Sequence, residues 1–208
     1  QFAFPLLHLV GPHGRVHAFE PTPATFAVLE RNLRRYTRQG RVVLHRTALS
    51  DHEGSAEMFV PDAKGLEAAL VKHADFSSWQ ASAAPAPSFT TPLTTLDRFL
   101  AAHQVPCPDF IKIDVEGAEL LVLKGGREVL ASDHPPILLL EIWSPWTLDF
   151  GYSPRELFDY LDDLGGYRFY QITVSGLRAV RPDETEPGTF PRFINFLGLA
   201  PGHHDSAA

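Results

Sequence analysis

Cysteine is nearly absent. The single thiol, Cys107, has no partner for an intrachain disulfide and too few companions for a cysteine-based zinc site, a usage that suits a reducing cytoplasm. Long apolar runs are lacking as well: the longest aliphatic stretch, residues 137–140, stops at Glu141, far short of a bilayer's thickness. No basic segment precedes the apolar start, which carries Pro5 and His8, so it does not read as a secretion signal. Positive charge is in deficit. With 18 Lys plus Arg against 25 Asp plus Glu the formal charge is −7, which argues against general nucleic-acid binding, because phosphate-driven affinity needs a basic face.

What is present is a 208-residue chain, 44% hydrophobic, of a size for one globular domain. Residues 1–200 are assigned to that domain, with an irregular insertion at about 61–92 and a disordered tail over 201–208. Within the insertion, residues 81–88 contain little but Ala, Ser and Pro. The first residue is Gln1 and a helical pattern is already under way there, so the natural beginning is expected upstream.

Short apolar runs rich in β-formers alternate with helical patterns, which predicts βαβ units around a mostly parallel sheet. Strands are expected over 15–19, 42–46 and 57–60. Thr22 caps a helix that Pro23 opens, with Phe26, Leu29, Leu33 and Tyr36 on one face. Thr94 is the capping candidate for a helix over 96–102. A strand over 109–114 follows, then a helix that begins near Gly117 and breaks at Gly125-Gly126. Residues 137–142 make the most apolar strand, expected near the sheet centre. Ser153-Pro154-Arg155-Glu156 is a capping box for a helix ending at Gly165-Gly166, and two last strands, 167–174 and 193–198, flank a polar turn over 175–191.

Ligands of open parallel sheets collect beyond the carboxyl ends of the strands, so acids at strand ends have special standing. Glu20 closes the first strand, Asp114 and Glu116 close the strand over 109–114, and Glu141 lies near the end of the strand over 137–142. An acid like Glu20 either accepts ribose hydroxyls or is a solvated strand end. Asp114 and Glu116 are two residues apart, so in extended backbone both point to one side, and Gly117 then permits a tight turn. Adjacent carboxylates repel, and burial beside a hydroxyl raises the pKa of one toward that of a base. Glu116 serves equally well, on this pattern, as a helix cap.

The block Asp109-Phe-Ile-Lys-Ile-Asp-Val-Glu-Gly-Ala-Glu119, followed by Leu123-Lys-Gly-Gly126, strongly resembles the FkbM-type S-adenosylmethionine-dependent methyltransferases. His17-Ala-Phe-Glu-Pro21 and Ala48-Leu-Ser-Asp51 are similar to two further family blocks in the same order. The resemblance implies a doubly wound, Rossmann-like class I methyltransferase sheet, mostly parallel with an antiparallel last strand. It also implies methyl transfer to a hydroxyl of a sugar, polyketide or other small metabolite. The family's first strand and its Gly-Ala-Asn-x-Gly loop should stand immediately before Gln1 and are missing. Carried over by position, the resemblance puts Glu20 on the cofactor ribose, Asp51 near the adenine, and Asp114 by the sulfonium and the acceptor. Asp114 then accepts the acceptor's proton, with Glu116 or Glu141 orienting it.

Two alternatives accompany that reading. Asp114 and Glu141 could hold a divalent cation through hard oxygens, as in metal-assisted O-methyltransferases, or the chain could be a non-catalytic binding or assembly module that keeps the fold. Trp143, Trp146 and Tyr152 either stack on an acceptor or cover the core edge. Phe76 and Trp79 are candidate lid residues. Arg31, Arg34, Arg35, Arg38 and Arg41 read as a solvated, dipole-matched helix end. His8, His13, His17, His45 and His52 lack metal-ligand spacing, and Cys107, between two prolines, has no neighbour in sequence to activate it.

Overall fold

The computed structural model describes residues 3–60, 68–70, 87–181, 184–185 and 194–203. Its first unit is α1 (Ala3–Leu9), β1 (Val16–Phe19), α2 (Pro23–Arg38) and β2 (Val42–His45), with β1 and β2 paired in parallel. Leu7, Leu33, Val16 and Val42 form a small core between the helices and this pair. Thr22 stands at the start of α2, yet its side chain makes no cap hydrogen bond; the Glu20 carboxylate accepts the Thr22 N–H at 2.8 Å instead. Arg31, Arg34, Arg35 and Arg38 are exposed as expected. Arg41 departs from that expectation: its guanidinium donates to the carbonyls of Leu7 (2.7 Å) and Gly11 (2.6 Å), closing the end of α1.

A three-stranded sheet follows, built from β3 (Ala48–Leu49), β4 (Gly54–Phe59) and β5 (Ser88–Thr94) in the order β3-β5-β4. The expected irregular insertion therefore ends sooner than residue 92, because β5 starts at Ser88 and pairs antiparallel with β4. Pro92 concealed the strand, since proline is disfavoured between two partners. It is tolerated because β3 pairs only with Leu93 and Thr94. The rest of the insertion, including the candidate lid residues Phe76 and Trp79, lies outside the described residues, as does most of the expected tail.

The third part comprises α3 (Leu96–His103), β6 (Phe110–Ile113), α4 (Glu119–Lys124), α5 (Arg127–Leu130), β7 (Ile137–Ile142), α6 (Ser144–Asp149), α7 (Pro154–Gly165), β8 (Arg168–Thr173), β9 (Gly176–Val180) and β10 (Ile194–Leu199). The cap of α3 is Thr95, whose hydroxyl accepts the Arg98 N–H, because Thr94 is still in β5. The sheet order is β6-β7-β10-β8-β9; β6 and β7 run parallel, and β10 is antiparallel to both its neighbours. The expected polar turn over 175–191 contains β9, a hairpin partner of β8 whose exposed side chains gave no apolar alternation to read. The capping box of α7 forms as expected, and the helix closes on Gly166 at φ 65.

The architecture is thus mixed α/β, with parallel pairing in β1–β2, β3–β5 and β6–β7 and antiparallel pairing elsewhere among the described residues. Among them, β1 pairs only with β2, and β6 only with β7. The main core surrounds β7, whose Leu138, Leu140 and Ile142 are fully buried against Leu157, Phe158 and Leu161 of α7 and Phe196 of β10. α3 bridges the main core and the β1–β2 pair: Leu96 lies in that core, and Phe99 packs edge-on against His17, Phe19 and His45, on the face of the pair opposite Val16 and Val42. Among the described residues no helix is long and apolar enough to cross a membrane.

Candidate functional site

The acids singled out at β6 and β7 converge. Asp114, Glu116 and Glu141 line one cavity of about 10 Å³ together with Gly117, Glu119, Trp143 and Trp146. They arrive there differently from the sequence expectation. β6 ends at Ile113 and α4 begins only at Glu119, so the extended alternation does not continue to Glu116. A tight turn intervenes, with Glu116 at φ 55 and Gly117 at φ 94. Glycine is needed at 117 on two counts, since a side chain there is strained and a Cβ would stand 2.8 Å from the Trp146 carbonyl oxygen. Glu116 is not the cap of α4; that position is Ala118, with no side-chain hydrogen bond.

The turn is held by a residue that the sequence pattern did not reveal. Glu119 is 2% exposed, and its Oε1 accepts the N–H groups of Gly117 (3.1 Å) and Val115 (3.4 Å). Tyr152 completes the arrangement: its hydroxyl is 2.7 Å from the Gly117 carbonyl oxygen and 3.1 Å from Glu119 Oε2, and it accepts the Leu120 N–H at 3.4 Å. Burial raises the Glu119 carboxyl above its usual range, against the opposing pull of those hydrogen bonds, and pushes the Tyr152 phenol up as well. Tyr152 is buried in the main core, which is the core-covering one of the two roles open to it.

Lys112 was also missed. Its side chain is 7% exposed, and its ammonium stands 3.4 Å from Asp114 Oδ2 and 3.5 Å from Glu141 Oε2. It also donates to the Ile113 carbonyl. Lys112 lies on β6 and Asp114 two residues on, just past its end, a same-side signal that the Phe-Ile-Lys-Ile-Asp run carried in plain view. One buried cation thus offsets two carboxylates. Above them Trp143 and Trp146 pack at 4.8 Å between ring centres; Trp146 is buried, Trp143 half-buried.

Glu20 and Asp51 are not in this lining. Glu20 follows β1, where its N–H donates to the His45 carbonyl; burial raises its carboxyl pKa while the Thr22 hydrogen bonds oppose the shift. At Asp51 partial burial pulls upward, but hydrogen bonds from His52 (2.7 Å) and Ser50 outweigh it and hold the carboxyl below its usual range. The Leu123-Lys-Gly-Gly126 block is architectural. A Cβ on Gly125 would fall 2.0 Å from the Ser50 carbonyl oxygen, and Asp97 receives the N–H groups of Glu128 and Val129 at the start of α5.

The α/β fold is shared with a solved protein. The crystal structure of Methyltransferase FkbM from Methylobacillus flagellatus KT matches with a TM-score of 0.54 at 20% identity, over 95% of this chain and 41% of that one. The family model for the Methyltransferase FkbM domain matches residues 1–169, and the chain belongs to that family. It spans less than half the length of the solved relative. No curated protein matches it.

Proposed function

We propose that the chain is the S-adenosylmethionine-dependent domain of a cytoplasmic O-methyltransferase acting on a hydroxyl of a sugar, polyketide or other small metabolite. The observation that carries this reading is the convergence of Asp114, Glu116 and Glu141 on one cavity, with Lys112 between two of them. The acids fit the cofactor's chemistry: a half-buried Glu20 suits a ribose diol, Asp51 an amino-bearing adenine, and the acidic turn a positive sulfur. When bound, S-adenosylmethionine supplies an electrophilic methyl carbon on cationic sulfur.

The chain's own work is alignment and proton handling. Methyl transfer is an in-line displacement, so the walls of the site align the hydroxyl oxygen and keep water away. Asp114 accepts the hydroxyl proton as the alcohol loses it, and Glu116 and Glu141 orient the acceptor. Lys112 limits the mutual repulsion of these carboxylates. Its ammonium also fills the space between Asp114 and Glu141 in which the metal-assisted alternative would put a divalent cation, which favours the metal-free reading. The edges of β1 and β6 that face no partner strand among the described residues are compatible with a further strand of this fold.

The cavity, at about 10 Å³, is water-sized, and that favours the second reading of a non-catalytic binding or assembly module. Calorimetry of the complete protein with S-adenosylhomocysteine, followed by methyl transfer against a panel of hydroxyl acceptors, separates the two. Binding and turnover support the enzyme; neither ligand binding nor turnover supports the module.

A further inference from the structure

We infer that Glu119 is a positioning residue of this site: as a neutral acid it closes, with Tyr152, a ring of hydrogen bonds through Gly117 that fixes the turn carrying Asp114 and Glu116. The inference rests on the catalytic reading of that turn.

The argument is a count of hydrogens. The Tyr152 hydroxyl has one, and the Gly117 carbonyl oxygen, 2.7 Å away, can only accept. That contact is the shorter of the hydroxyl's two oxygen contacts and takes the phenolic hydrogen. Glu119 Oε2 then lies 3.1 Å from a phenolic oxygen whose hydrogen is committed, and a hydrogen on the carboxyl itself completes the pair. On the other oxygen, Oε1 accepts from Gly117 N–H, so the ring runs from Glu119 to Tyr152, to the Gly117 carbonyl, and from the Gly117 amide back to Glu119. Every donor meets an acceptor, and each bond polarises the next. An ionised Glu119 would leave two oxygens competing for one hydrogen. Complete burial acts in the same direction, because it penalises the charged form.

The ring grips both peptide groups of Gly117, next to a left-handed Glu116, a conformation that non-glycine residues hold only where their surroundings enforce it. Asp114 and Glu116 stand on either side of Val115, whose N–H is also bound to Glu119. The buried acid therefore sets where Asp114 and Glu116 point; it forms part of the cavity wall, but its carboxyl oxygens are committed to the ring.

Glutamine at 119 has the same shape as the neutral acid and can both donate to Tyr152 and accept from Gly117, so Glu119→Gln, Glu119→Ala and Tyr152→Phe make a diagnostic series. The carboxyl ¹³C resonance of Glu119, assigned by its loss in Glu119→Gln, is expected at the protonated position at pH 7. The Gly117 amide should exchange at least about tenfold faster in Glu119→Ala and Tyr152→Phe than in Glu119→Gln. In the complete protein, S-adenosylhomocysteine affinity should fall about tenfold in Glu119→Ala and be restored by Glu119→Gln, while far-ultraviolet circular dichroism stays unchanged. An ionised resonance at pH 7, or a Gln variant as loose as the Ala variant, overturns the inference. Absence of S-adenosylhomocysteine binding by the wild-type protein overturns the cofactor reading instead, and the resonance and exchange measurements still decide the role of Glu119.

Discussion

At the scale of single residues, the charge balance around Lys112 makes two separable predictions. Asp114→Asn should lower methyl transfer by the complete protein by about 10²–10⁴-fold in kcat with little change in KM, since the amide keeps the shape but cannot take a proton. Lys112→Met should instead act first on stability, leaving Asp114 and Glu141 facing each other without their shared cation, a loss of about 1–3 kcal/mol readable by urea unfolding. The strand-end rule made Asp114 and Glu141 legible, because position alone selects them. Lys112 and Glu119 were not selected, for opposite reasons. A lysine in an apolar strand was passed over although its same-side spacing from Asp114 was readable. A fully buried carboxyl violates the expectation for its residue type and shows only in three dimensions.

At the scale of elements, close backbone approach decides what the motif glycines do. Gly125→Ala would drive a methyl group into the Ser50 carbonyl and separate the break after α4 from β3. A destabilisation of about 1–3 kcal/mol is expected, seen as a lower melting temperature. Strong start signals placed the first residue of α2 at Pro23, and start and stop signals together placed both ends of α7 within a residue or two. β5 and β9 were not placed. Pro92 disguised the first, and the second has four exposed residues in five, so no period-two contrast was available.

At the scale of the whole molecule, α3 packs against the β1–β2 pair, and that seam is rich in imidazole. His17 and His45 share a hydrogen bond of 3.1 Å beside Phe99 and His103, with Arg15 adding positive charge. Burial, then the neighbouring histidines, pull the His45 pKa down to about 4, and burial followed by Arg15 and His103 lowers His17. The unfolded chain therefore binds more protons than the folded one once pH drops below about 6.5. The stability that these neutral rings supply is complete above that pH and is lost as pH falls toward about 4. Hydrogen exchange across this range should show β1 and β2 opening before β7, and His45→Phe should flatten the acid limb of the melting curve. The edges of β1 and β6 that face no partner strand among the described residues predict a further behaviour: the isolated 208-residue chain should self-associate with rising concentration, measured by light scattering, and a strictly monomeric species would count against it. The α/β character was legible because alternating patterns survive averaging over many residues. The division of the described residues into three separate sheets was not, since pairing partners far apart in sequence leave no local trace.

The abutment of Gly117 on the Trp146 carbonyl carries a lesson for anyone reshaping this protein. The wall that would choose a guest and the bend that bears the acids share a surface with no slack, so selectivity and reactivity cannot be tuned one at a time. Libraries that vary α6 should be built jointly with positions 114 to 119, and gains from either set alone should be rare.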